Sequence, residues 1–166
     1  LATRCERLSA EIARGIASHG IVQRPGGGGR VYAYEVDGFG NANHMDDANI
    51  PSLLSLPWLG FVRETDKVYR RTRDLVLSTS TNPWFYVGSA GEGVGSPHTG
   101  PGTLWPMAVA MRALTATGDA AIAACLKTLK LSAAAPDSWL MHESFHSDDA
   151  SSFTRPWFAW ANSLFG

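Results

Sequence analysis

The 166-residue chain has little cysteine, little charge and no long apolar run, and each shortage excludes a class of protein. Its two cysteines, Cys5 and Cys125, are too few for a disulfide framework. Each falls at the apolar spacing of a helix, so we expect two buried free thiols. Charged residues make up 17% and hydrophobic residues 45%, which excludes a disordered tail and predicts a packed core.

Charge balance and hydropathy exclude two kinds of partner. The net charge is -1, without the basic stripe of a nucleic-acid binder. No apolar stretch approaches the roughly 20 residues that a membrane-spanning helix needs. The sequence shows no starting methionine and no signal peptide and opens inside a helical pattern, so we expect the C-terminal part of a longer domain. Compartment and oligomeric state are left open.

Apolar residues recur at helical spacing through much of the chain. Leu1, Leu8, Ile12 and Ile16 share one face of a first helix. Capping residues, first-turn prolines and apolar spacing predict five more. No segment has a convincing strand pattern, so the predicted fold class is all-α, with a long loop at 82–102. The six helices are expected at about residues 1–19, 48–56, 65–77, 103–116, 119–129 and 156–165.

Three polar segments are too rich in carboxylate, amide, imidazole and aromatic side chains to be ordinary connectors. They cover residues 35–49, 95–106 and 141–146, the last continued by residues 154–162. Such polar groups bind sugar hydroxyls, and aromatic rings pack against the apolar faces of sugars. The candidate hydroxyl contacts are Asp37, Asn43, His44, Asp46, Asp47, Asn49, His98 and Arg155, and the candidate stacking faces are Trp105 and Trp157.

Structural roles compete with binding roles at several of these positions. Asp46 and Asp47 precede a predicted helix, so one of them can serve simply as its N-cap and dipole partner. Trp58, Trp84 and Trp160 are expected in the core rather than in a binding site.

The segment from His142 to His146 reads His-Glu-Ser-Phe-His and matches the zinc-protease pattern H-E-x-x-H. In that motif a helix places the two histidines one turn apart on one face, where both bind zinc. The pattern fixes only three positions, and the flanking residues do not sustain a helix of useful length. We therefore expect no metal, and we take His142 and His146 as candidate substrate contacts beside Glu143.

Four long, ordered segments resemble glycoside hydrolase family 125: residues 32–54, 97–101, 141–146 and 153–162. The resemblance covers nearly the whole chain from about Val31 onward. It implies an (α/α)6 toroid, of which residues 1–166 form about the C-terminal half. It also implies an exo-acting enzyme that removes terminal α-1,6-linked mannose from a glycan, with inversion of configuration and without a metal or other cofactor.

The resemblance further implies a catalytic role for one residue. The family's general base is the glutamate of the His-Glu-Ser-Phe-His segment, which is Glu143 in this sequence. His142 or His146 would orient this carboxylate or hold the attacking water. No residue of the chain matches the motif of the family's general acid, so the acid is expected outside the chain.

Three other functions stay open on the sequence alone. A related toroid glycosidase or phosphorylase would release another sugar, such as glucose, and no mannose. A non-catalytic carbohydrate-binding remnant would bind sugar without hydrolysing it. A zinc hydrolase would lose activity to a chelator and regain it with zinc.

Overall fold

The computed structural model describes residues 1–135 and 137–166, which contain five α-helices and nine short strands. The helices are α1 (Ala2–Gly15), α2 (Lys67–Val76), α3 (Pro106–Leu114), α4 (Asp119–Ala134) and α5 (Ala159–Phe165). One π-helical turn, Ile16–Gly20, continues α1. The strands are β1 (Ile21–Gln23), β2 (Arg30–Tyr32), β3 (Glu35–Val36), β4 (Ala42–Asn43), β5 (Phe85–Gly88), β6 (Gly91–Val94), β7 (Thr103–Leu104), β8 (Ser144–His146) and β9 (Asp149–Thr154).

Helices α1 to α4 lie at or near their predicted positions, but α3 begins at Pro106 because Thr103–Leu104 form β7, and α4 continues beyond Leu129 to Ala134. Asp66 caps α2 by accepting hydrogen bonds from the backbone N–H groups of Val68 and Tyr69, both at 2.8 Å. Helix α5 begins at Ala159, slightly later than predicted.

The helix predicted at 48–56 is absent, and this prediction is wrong. The described residues of that segment form bends and turns instead. The physical reason is the carboxylate of Asp46, which accepts the backbone N–H groups of Leu53 and Leu54 at 3.0 Å. A side chain that takes up these donors competes with helical hydrogen bonding and favours a turn.

Short antiparallel strands between the helices correct the all-α expectation. β1 pairs with β2, β3 with β4 and β5 with β6, while β8 lies between β7 and β9. The β5–β6 hairpin falls within residues 82–102, which the sequence predicts to be a loop. Most of these strands have only two to four residues, too few to show alternating apolar and polar side chains.

The core is built around α3 and α4. Val109 of α3 belongs to one buried cluster with Cys125 and Leu129 of α4. A second cluster joins Leu75 of α2 to Val31 of β2. Cys125 is therefore a buried thiol as predicted, and burial raises its pKa.

Helix α1 has no buried residue, although its pattern is amphipathic. Leu8 and Ile12 on its apolar face are exposed, because no other described element covers that face. Cys5 lies on this helix and is exposed, which corrects the expectation of a buried thiol. Within the described part of the chain, no helix has the length and apolar character needed to cross a membrane.

Candidate active site

The three polar segments meet at one open pocket of ≈ 800 Å³. The first segment supplies Asn49, the second His98 and Trp105, and the third Glu143 and Arg155. Carboxylate, amide, imidazole and guanidinium groups thus converge beside aromatic rings, the mixture that sugar recognition needs. The complete lining is Asn49, Ile50, His98, Trp105, Glu143, Arg155, Phe158 and Trp160.

Glu143 lines this pocket with only 13% of its side chain exposed. Its Oε2 atom accepts a hydrogen bond from the Thr154 hydroxyl at 3.1 Å and lies 3.3 Å from Nε of Arg155. The residue directly precedes β8, and the pairing of β8 with β9 places Ser144 opposite Thr154. The two strands therefore fix the carboxylate and its hydroxyl partner relative to each other.

Arg155 links this carboxylate to the aromatic part of the pocket. Its guanidinium carbon lies 5.7 Å from the ring centroid of Phe158, within cation–π range. Its backbone φ of 44° lies in the left-handed region that residues other than glycine rarely adopt. Because 65% of the side chain is exposed, the ion pair with Glu143 adds little stability and the guanidinium is open to a ligand.

The carboxylate of Asp46 anchors the first polar segment from inside. It is buried and accepts the backbone N–H groups of Asp47, Leu53 and Leu54 at 3.0 to 3.1 Å. Burial raises the pKa of this carboxyl to about 7, and the three N–H donors oppose the rise. The predicted sugar contact at Asp46 is corrected to a structural role, because the protein itself uses both carboxylate oxygens.

Asp47 does not line the pocket but holds Asn49, which does. Its Oδ1 accepts the backbone N–H of Asn49 at 3.0 Å and the side-chain amide of Asn49 at 2.9 Å. The N–H of Ala48 donates to the carbonyl of Gly95 at 3.1 Å, which joins the first polar segment to the second. A Cβ atom at Gly95 would lie 2.2 Å from the carbonyl oxygen of Thr103, so only glycine fits at this junction.

Trp160, rather than Trp105, provides the exposed aromatic face of the pocket. Trp105 is only 2% exposed, donates its indole N–H to the Thr99 hydroxyl at 2.8 Å and packs edge-on against Phe158. Trp160 is 60% exposed and lines the pocket beside Phe158. The prediction of a core position for Trp160 is wrong, because α5 turns Ala161 into the core instead.

His142 and His146 do not have the geometry of a helical zinc motif, because β8 is extended. The ring nitrogens of His142 lie 2.9 Å from the carbonyl oxygen of Pro156 and 3.2 Å from that of Ser132, and its buried ring stacks on Phe153. The predicted substrate contact at His142 is corrected to a role in anchoring the segment that carries Glu143. In residues 1–135 and 137–166, no three His, Cys, Asp or Glu side chains are arranged to hold a metal ion.

The other predicted contacts do not line the pocket that contains Glu143. Asp37 and Asn43 lie at the β3–β4 hairpin and line a separate surface depression. Asp37 is exposed, and its Oδ1 accepts the backbone N–H of Phe39 at 2.8 Å, which stabilises the hairpin turn. Five predicted contacts therefore do not line the pocket of Glu143 in this structure. They are Asp37, Asn43, His44, His146 and Trp157.

Four residues of the site are not predicted as contacts from the sequence: Ile50, Thr154, Phe158 and Trp160. Thr154 and Phe158 lie in the third polar segment, but only the β8–β9 pairing shows that Thr154 reaches Glu143, and only the late start of α5 shows that Phe158 and Trp160 line the pocket. A helix that begins after Phe158 places Ala161 in the core and leaves Trp160 exposed. An accurate start of α5 would therefore have identified Trp160 as a residue of the site.

Comparisons with known proteins find a matching family model and a similar curated protein. The family model described as metal-independent α-mannosidase (GH125) matches residues 1–166. The chain is 52% identical over 155 residues to the Meiotically up-regulated gene 157 protein of Schizosaccharomyces pombe, a match that covers 93% of this chain and 30% of that protein.

A solved α-mannosidase structure also matches the chain. The chain matches a metal-independent α-mannosidase of Streptococcus pneumoniae, solved as a non-productive complex with α-1,6-mannobiose, with a TM-score of 0.88 and 42% identity. This match covers 96% of the present chain and 37% of the other. The chain therefore spans about a third of the length of each of these two proteins.

Proposed function

The chain belongs to the metal-independent α-mannosidases, glycoside hydrolase family 125, and we propose that it forms part of an exo-acting α-1,6-mannosidase that inverts the anomeric configuration. The proposal depends on the position of Glu143, a carboxylate held at one oxygen in an open pocket lined by sugar-binding types of side chain. The α-1,6-mannobiose bound by the Streptococcus pneumoniae protein supports the choice of substrate.

We propose that the chain is the C-terminal part of one catalytic domain, an (α/α)6 toroid. The match to only 37% of the solved α-mannosidase supports this organisation. The uncovered apolar face of α1 also supports it, because an amphipathic helix is normally buried along that face. The polypeptide that contains this domain in full is called the complete protein below.

In the proposed mechanism Glu143 acts as the general base. Its carboxylate removes a proton from a water molecule, which attacks the anomeric carbon of the terminal mannose. A second carboxyl group protonates the leaving oxygen from the other side of the sugar, and the remainder of the complete protein supplies it. In inverting glycosidases the two carboxyl groups stand roughly 6.5–9.5 Å apart, which leaves room for the water.

The remaining pocket side chains divide into polar contacts and an aromatic face. Asn49, His98 and Arg155 offer directed hydrogen bonds to mannose hydroxyls. Phe158 and Trp160 offer ring faces to the apolar side of the sugar. Asp47 has an indirect part, because it holds the amide of Asn49 in place.

The stereochemistry of the released sugar tests the proposed function. When the complete protein hydrolyses α-1,6-mannobiose, we expect the first mannose formed at the cleaved bond to be the β-anomer, because attack by water inverts an α-linkage. Proton NMR spectra recorded before mutarotation distinguish the two anomers. Initial formation of α-mannose would contradict inversion, and binding of the disaccharide without any cleavage would contradict the enzyme itself.

The aromatic face gives a second prediction. We expect Trp160→Ala in the complete protein to raise KM for α-1,6-mannobiose by roughly 5–30-fold, since a ring face buried against a sugar contributes about 1–2 kcal/mol. The rate at saturation should change less. Trp139→Ala is the matched control, because Trp139 is similarly exposed but lies outside the pocket. Equal KM values for the two variants would remove Trp160 from the site.

A further inference from the structure

Resting on the proposed role of Glu143, we propose that Thr154 is a positioning residue that holds Oε2 of this carboxylate and thereby assigns Oε1 to the attacking water. The hydrogen bonds and ion pairs that the described residues make with Glu143 all fall on Oε2. The two partners are the Thr154 hydroxyl at 3.1 Å and Nε of Arg155 at 3.3 Å. The two carboxylate oxygens are therefore inequivalent.

The number of hydroxyl protons fixes which atoms donate among Ser144, Thr154 and Glu143. A threonine hydroxyl carries one proton, and Thr154 donates it to the carboxylate of Glu143, which can only accept while it is ionised. The hydroxyl of Ser144 lies 2.8 Å from the Thr154 hydroxyl. Ser144 must then be the donor to Thr154, so two hydroxyl groups point their protons in series toward Oε2.

The rigidity of the group comes from the backbone. Ser144 and Thr154 are paired residues of the antiparallel strands β8 and β9. Ser144 is fully buried, and its neighbour Phe145 is fully buried as well. The hydroxyl pair is thus fixed in the sheet, whereas the long side chain of Arg155 is 65% exposed and can follow a ligand. Thr154 is consequently the partner that keeps the carboxylate in one orientation.

This orientation matters because a general base acts only from a defined position. Displacement of a reacting group by about 1 Å can lower a rate by about 10²-fold. A hydroxyl that locks Oε2 should therefore affect the rate of the chemical step and leave sugar affinity almost unchanged. No direct contact between Thr154 and the substrate is needed, since its polar partners are Glu143 and Ser144.

The test compares four variants of the complete protein with α-1,6-mannobiose as substrate. Thr154→Val keeps the shape but removes the hydroxyl, and we expect kcat to fall by about 10–100-fold with KM within about 2-fold of the wild-type value. Thr154→Ser restores the donor and should return kcat to within about 3-fold of wild type. Ser144→Ala should lower kcat by a smaller factor. Ser152→Ala is the control, since Ser152 is exposed on the same strand.

Two results would overturn the proposal: a normal kcat in Thr154→Val, or a kcat in Thr154→Ser as low as in Thr154→Val, which would indicate a packing role. If Thr154→Val does not fold, Ser144→Ala decides, and a wild-type kcat there contradicts the proposal. Glu143→Gln is measured in parallel. Normal turnover in that variant removes the proposed function and this inference together, whereas an inactive Glu143→Gln beside a normal Thr154→Val removes the inference alone.

Discussion

Replacing Glu143 with glutamine in the complete protein is expected to lower the rate of mannose release from α-1,6-mannobiose by roughly 10²–10⁴-fold, the usual contribution of a general base. Glutamine has nearly the same shape and can still accept the hydrogen bond of Thr154 through its carbonyl oxygen. It cannot accept a proton from water at neutral pH. The fold and the sugar affinity should therefore persist while the chemical step is lost.

One further measurement and one control variant accompany the rate. The melting temperature should stay close to that of the wild type, because the ion pair with the exposed Arg155 contributes little to stability. Glu64→Gln serves as the matched control, since Glu64 is exposed in the turn before α2 and does not line the pocket. A Glu143→Gln variant that turns over like the control would exclude the base assignment.

Replacing Asp46 with alanine is expected to lower the free energy of unfolding of the complete protein by about 2–5 kcal/mol. The change removes a buried carboxylate that accepts three backbone N–H groups, two of which belong to the buried residues Asp47 and Leu54. Each of these two buried donors costs about 1–3 kcal/mol when it is left without a partner, whereas water can replace the acceptor of the part-buried Leu53 N–H. Urea denaturation measures the loss. Because the same turn carries Asn49 and Ile50 to the pocket, KM should rise as well.

Asp37→Ala is the control for this effect. Asp37 also accepts backbone N–H groups in a turn, but it is exposed, and water can replace its hydrogen bonds. We expect a much smaller loss of stability from that variant. A loss at Asp46 no larger than the loss at Asp37 would contradict the anchoring role.

The pH dependence of stability provides a second check on Asp46. Its folded pKa of about 7 lies above the ordinary value of about 4 for an unfolded aspartate. The folded state therefore binds the proton more tightly, and the resulting stabilisation is present below pH 4 and is lost as pH rises through about 7. Relative to Asp46→Asn, the wild type should gain stability as pH falls from 8 to about 5.

Five of the six predicted helices are present in the structure, because their signals are local, whereas the segment 48–56 forms turns instead. The cap at Asp66 and the apolar spacing of α4 act within a few residues, and the structure follows them. The strands could not be predicted, because pairing joins residues far apart in sequence. Thr103 of β7 lies opposite His146 of β8, and neither strand is long enough to show a pattern.

The site was predictable in its location but less so in its individual contacts. The three polar segments do meet at a pocket, with Glu143, Asn49 and His98 in its lining. Residue type alone could not separate a carboxylate that faces a ligand from one that holds a turn, as Asp46 does. That distinction depends on where the backbone N–H groups lie, and those positions follow from the fold.

A crystal structure of the complete protein with Glu143→Gln and intact α-1,6-mannobiose tests the central claim most directly. We expect the anomeric carbon of the terminal mannose to lie in the pocket beside residue 143, with one water between them. A carboxyl group from outside residues 1–166 should stand roughly 6.5–9.5 Å from the carboxamide, on the opposite side of the bond. A disaccharide bound away from Asn49, His98 and Arg155, or a residue 143 that faces away from the sugar, would contradict the account.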